Sequence, residues 1–239
     1  MRATVSRIVD PFLSEVDQVL GSGYSAVLYG SAARDDFIPG RSDINLMLVL
    51  EQLDPQILRS LGRAFTGWRK GSHEPPLILS RTEWERATDA FPIEITDMRV
   101  SYQVLRGPDP VQSVRVDRAD LRKALEREFR GKLLRLRQGY ATYAPDPKAL
   151  GMLALQSAAT ILVLLRGVLT LMGKPVPAGA NELASAAAQA IGFQADPLLH
   201  VVRHRAEREW RCGAPEFEKY MEVVEQAARF VDQLQLGDQ

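Results

Sequence analysis

LYGSAARDDFIPGRSDINLMLVL, residues 28–50, is the stretch that decides how this chain folds. An apolar strand end runs into Gly30, which permits a tight turn directly after a strand. Ser31, Ala32 and Ala33 follow with small side chains that can open a short helix, and its free backbone N–H groups make a phosphate cradle. After a polar loop the chain enters a second strand at Asp43. Period-two alternation puts Asp43, Asn45, Met47 and Val49 on one face and Ile44, Leu46, Leu48 and Leu50 on the other. Polar groups therefore gather only where this strand starts. A hard cation such as Mg²⁺ takes oxygen ligands and rides on one or two carboxylates plus phosphates, which this arrangement can supply. The same residues also suit folding alone, because glycine, serine and aspartate are ordinary turn residues.

Outward from that stretch, Val5, Ile8, Val9, Phe12, Leu13, Val16 and Leu20 keep helical spacing, and Gly21-Ser22-Gly23 stops the helix. Short apolar runs predict strands at 24–29, 43–50, 77–79 and 91–98, with a last one at 101–105. Pro55 opens a helix reaching Arg69, and Thr82 reads as the N-cap of another, with Glu85 as its capping-box partner. A turn-rich segment, RGPDP at 106–110, ends the strand pattern. Residues 1–113 therefore read as an α/β domain with a mixed sheet, and residues 114–239 as an all-α helical bundle. Helices are expected at about 118–143, 147–173, 181–191, 197–211 and 215–236, separated by proline and glycine.

Composition narrows the partners. Lys plus Arg and Asp plus Glu number 30 each in 239 residues, so no global charge recruits nucleic acid or an anionic membrane. A single cysteine, Cys212, excludes an internal disulfide and a Cys-rich zinc site, which fits a reducing cytoplasm. Charges at Arg7, Asp10, Glu15 and Asp17 break the N-terminal apolar positions, so no signal peptide is read there. The uncharged run at 149–165 is shorter than a bilayer span of about 20 residues, and a buried helix or a homodimer seam is expected instead of a membrane segment.

The strings Leu28-Tyr-Gly-Ser-Ala-Ala-Arg34 and Arg41-Ser-Asp-Ile-Asn45, with the apolar run behind them, resemble the signature of the DNA polymerase beta-like nucleotidyltransferase superfamily. An α/β half followed by a helical half is also similar to the small-molecule, aminoglycoside-type members. The resemblance implies that Gly30 and Ser31 bind a nucleoside triphosphate, that acids hold Mg²⁺ (or Mn²⁺), and that a nucleoside monophosphate passes to a hydroxyl of a small molecule or protein. Asp43 matches the first acid. Phe91-Pro-Ile-Glu-Ile-Thr-Asp97 looks like the strand of the third acid, with Glu94 preferred and Asp97 the alternative, since a regular strand turns these two to opposite faces. Asp97 pairs otherwise with Arg99 or Arg34. On this reading Asp43 and Glu94 are catalytic and Glu94 accepts the acceptor's proton. Asp43, Asn45, Glu94 and Asp97 supply metal ligands. Gly30, Ser31, the amides of Ala32 and Ala33, and Asn45 contact the nucleotide, while Arg34 and Arg41 neutralise its phosphates.

Asn45 departs from the pattern, which has a second acid there. One neutral carbonyl oxygen replaces a carboxylate. At ~4 Å and an effective dielectric of ~20 a unit-charge pair is worth about 4 kcal/mol, enough to impair a two-cation site. A catalytically impaired nucleotide-binding or scaffold protein is therefore the rival reading.

Two further constellations stand out. His200 and His204 lie four apart on an expected helix with Glu207 beyond, but no third ligand with fitting spacing follows. The segment 115–137 is rich in arginine, yet thin in aromatics and supplied with i,i+4 acid partners, so a solvated helix face is expected and nucleic acid is not.

Overall fold

A computed structural model describes residues 3–34, 42–71, 73–207 and 209–235. The chain divides into two compact units, Met1–Arg115 and Val116–Gln239. A mixed four-stranded sheet with helices forms the first, and helices alone form the second.

In the first unit, α1 (Ala3–Leu20) buries Val5, Val9, Phe12, Leu13 and Val16 as one stripe. That stripe packs on one face of the sheet, against Leu28, Leu46, Leu48 and Leu50, and forms the core there with Trp68. The sheet order is β3-β2-β1-β4, where β1 is Tyr24–Tyr29, β2 Asn45–Leu50, β3 Leu77–Ser80 and β4 Tyr102–Arg106. β1 runs antiparallel to both β2 and β4, and β2 and β3 are parallel. A parallel pair needs a crossover. It is made by α2 (Pro55–Ser60) and α3 (Gly62–Lys70), which divide the expected single helix at Leu61, beside the poor helix former Gly62.

Two expectations are corrected here. The helix α4 (Arg81–Glu85) is capped by Ser80, not Thr82: Glu83 N–H donates to Ser80 Oγ at 3.2 Å, and Ser80 N–H donates to Glu83 Oε2 at 2.7 Å. Ser80 and Glu83 have the same three-residue spacing as Thr82 and Glu85, and the earlier box is the one that closes. The second correction concerns 91–98, which is not a strand. Pro92 occupies the first turn of a helix, α5 (Pro92–Val100), where its missing N–H costs nothing, and Ile95 N–H closes onto the Phe91 carbonyl at 3.1 Å.

The second unit holds α6 (Arg118–Tyr143), α7 (Pro147–Leu171), α8 (Ala180–Ile191), α9 (Ala195–Arg203) and α10 (Ala214–Gln233). Asp117 caps α6, and Asp146 with Pro147 opens α7. α7 is long and apolar enough to cross a membrane by length and composition, with 56% of its most apolar window buried. It packs against α6, α8, α9 and α10, as the core helix of a bundle does. The helix expected over 197–211 ends at Arg203 and continues as a single tight turn, His204–Ala206.

Candidate active site

The turn after β1 is a short 3₁₀ segment, Gly30–Ala32, in which Gly30 holds φ at +72°. Two facts fix glycine there. That φ is open to few other residues, and a Cβ would lie 2.6 Å from Asn45 Nδ2. Asn45 sits directly opposite Tyr29 in the β1–β2 register, so its amide underlies the turn. Ala33 N–H donates to the Gly30 carbonyl at 3.1 Å, which removes it from the expected phosphate donors. The N–H groups of Gly30, Ser31 and Ala32 head the segment and are the donors a helix start leaves for an anion.

β2 begins at Asn45, so Asp43 lies just ahead of it, and its side chain is exposed. Glu94 is exposed in the first turn of α5. Asp97 is buried on the same helix and faces Arg34, with Nη1 and Oδ2 at 3.5 Å. Of the two partners open to Asp97, Arg34 is the one it takes. The pair directs Arg34 at α5. A second tie binds these elements, because Ser101 Oγ donates to the Ala33 carbonyl at 3.0 Å. Arg41 lies outside the described residues.

Tyr29 is a residue that sequence reasoning missed. It shares a sheet face with Asn45 and with Tyr102 of β4, its partner in the other register. Burial pushes its phenol above the ordinary value, and the Glu94 and Asp97 carboxylates raise it further. Tyr29 therefore stays a neutral hydrogen-bond donor and marks where α5 brings both acids towards the turn. The signal in the sequence was its place one residue before Gly30.

A solved structure shares this fold. A spectinomycin adenyltransferase from Enterococcus faecialis, crystallised with ATP and spectinomycin, aligns with a TM-score of 0.59 at 11% identity, over 95% of this chain and 99% of its own. No family model and no curated protein matches the sequence. The fold is therefore that of a nucleotidyltransferase-like α/β domain followed by a helical region.

The donors can be tested against the metals that the resemblance implies. Among the described residues no three His, Cys, Asp or Glu side chains gather, so Asp43, Glu94 and Asp97 form no joint cluster. Asp97 is committed to Arg34, and Asn45 adds only a neutral oxygen. This set does not fit a resident pair of divalent cations. The exposed Asp43 would offer one carboxylate to a cation that arrives on a triphosphate.

The other constellations fall into packing. His204 Nδ1 meets Glu207 Oε1 at 2.7 Å and its ring stacks on Trp210 at 4.7 Å. On α6, Arg122 and Arg130 pair with Glu126, and Arg137 pairs with Glu225 of α10, which leaves those arginines engaged with carboxylates.

Proposed function

We propose that this chain is a nucleotidyltransferase that takes the magnesium complex of a nucleoside triphosphate and transfers its nucleoside monophosphate to a hydroxyl of a small molecule. The observation that supports this is the placing of the Gly30 turn against Asn45, two residues from the exposed Asp43, within a fold shared with an enzyme that binds ATP and spectinomycin. The N–H groups of Gly30, Ser31 and Ala32, with the Ser31 hydroxyl, cradle the β- and γ-phosphates. Asp43 is the protein ligand for the cation that the nucleotide brings. The acceptor oxygen attacks the α-phosphorus, the bond to the β-phosphate bridging oxygen breaks, and pyrophosphate leaves. Glu94 takes the hydroxyl proton, and Tyr29, held neutral, donates to the developing anionic oxygens. A cytoplasmic setting, with its nucleotide pool, goes with this reading.

A second reading, nucleotide binding without transfer, is favoured by Asn45 and by the engagement of Asp97 with Arg34. One assay separates the two. The full chain and its Asn45→Asp variant are incubated with α-labelled triphosphates, Mg²⁺ or Mn²⁺, and a panel of polyhydroxylated acceptors. Label on an acceptor with the wild type supports transfer. Bound nucleotide without transfer, restored by Asn45→Asp, supports the second reading, and transfer by neither protein with no nucleotide bound defeats both.

A further inference from the structure

On the other side of the sheet from Tyr29 and Asn45, α1 and α3 border a half-open pocket of about 290 Å³, lined by Phe12, Glu15, Gly67, Trp68, Gly71 and His73. Three of these residues carry rings arranged around one another. Phe12 and Trp68 lie 4.8 Å apart at 57°, and Trp68 and His73 lie 5.3 Å apart at 54°. Their positions are fixed. Trp68 Nε1–H donates to the Glu74 carbonyl at 2.7 Å, and Gly71 leaves room for the His73 ring, which a Cβ there would meet at 2.8 Å.

The fourth wall is a carboxylate. Glu15 Oε2 is shut off from solvent and accepts no hydrogen bond among the described residues. Its ion pair is with Arg63 Nε at 3.9 Å, and the Arg63 and Glu15 side chains are 90% and 39% exposed. The shielded oxygen has no donor, and an N–H group inside the pocket would supply one. Ring faces attract cations.

We propose that this pocket binds a small organic ammonium ion: a primary amine whose N–H groups donate to Glu15 and whose apolar body lies against Phe12 and Trp68. The volume suits a ligand of one ring and a short side chain. The site is independent of the nucleotide site, since Leu28 and Leu46 face α1 while their neighbours Tyr29 and Asn45 face the opposite way.

The test uses full-length protein labelled with ¹⁵N at the indoles, with the Trp68 resonance assigned through Trp68→Phe. Titration with phenethylamine shifts the Trp68 indole signal saturably and leaves those of Trp84 and Trp210 in place. Phenethyl alcohol, its neutral counterpart, binds at least about tenfold more weakly, and Glu15→Gln removes that preference. Gly67 lies at the wall, where an added Cβ meets nothing within 4 Å, so Gly67→Leu blocks the pocket without disturbing α3 and abolishes the shift while the melting temperature holds. A Trp68 signal unmoved at millimolar amine, equal binding of amine and alcohol, or binding that survives Gly67→Leu overturns the proposal.

Discussion

At the scale of single residues, Gly30 and Asn45 act as one unit. A side chain at position 30 meets both a left-handed backbone and the Asn45 amide. Gly30→Ala is expected to lower stability by about 1–2 kcal/mol from the backbone alone, with a further loss from displacing Asn45. Urea denaturation of Gly30→Ala, Asn45→Ala and the double variant checks this: the double change costs less than the sum, because the clash has been removed. Additive losses would show that the two positions are not coupled. Gly30 was legible in the sequence because a strand followed by Gly-Ser admits few backbones. The use made of Arg34 was not. Whether a loop arginine meets a phosphate or a buried carboxylate depends on α5, which returns to the turn far along the chain, and spacing alone left Asp97 with two partners. Tyr29 was overlooked for the same reason, since its neighbours Asn45 and Glu94 come from different elements.

At the scale of elements, the short apolar runs at 24–29, 43–50, 77–79 and 101–105 form strands as read, with small shifts at their ends, while the run at 91–98 does not. The bounds of α6 follow from Asp117 as a cap and from a long periodic pattern, and Asp146-Pro147 marks the start of α7 in the same way. The segment 91–98 carries conflicting signals. Ile93, Glu94, Ile95 and Thr96 alternate as a strand would, yet Pro92 suits a helical first turn, and burial of Ile93, Ile95, Thr96, Asp97 and Met98 leaves little periodicity to separate the two. Helix α4 offers a direct check on which of two serial capping boxes operates. Ser80→Ala should cost about 1 kcal/mol and Thr82→Ala under half of that, read from chemical denaturation midpoints. The reverse order would restore the start expected at Thr82.

At the scale of the whole molecule, each unit carries buried groups whose protons resist loss. In the first unit, burial holds the Tyr24 phenol above its ordinary value, aided by the hydrogen bond to Asp17 Oδ1 at 2.6 Å. In the second, burial raises the Tyr220 phenol and, with Glu216 adding to it, pushes the Cys212 thiol up to about 12. For an acid whose folded value is raised, the stabilisation is complete below the unfolded value and is lost as pH climbs towards the folded one. Stability to urea should therefore hold through neutral pH and fall above about pH 9, where unfolded thiols and phenols begin to ionise and the native ones do not. Cys212 should also resist alkylation until the chain unfolds. Whether the protein binds a nucleotide is read from calorimetric titration of the full chain with the magnesium complex of a non-transferable ATP analogue. Saturable binding is expected, and Asp43→Ala, a change at an exposed side chain, weakens it at least about tenfold without altering the melting temperature. Absence of saturable heat, or binding indifferent to Asp43→Ala, overturns the proposed nucleotide site.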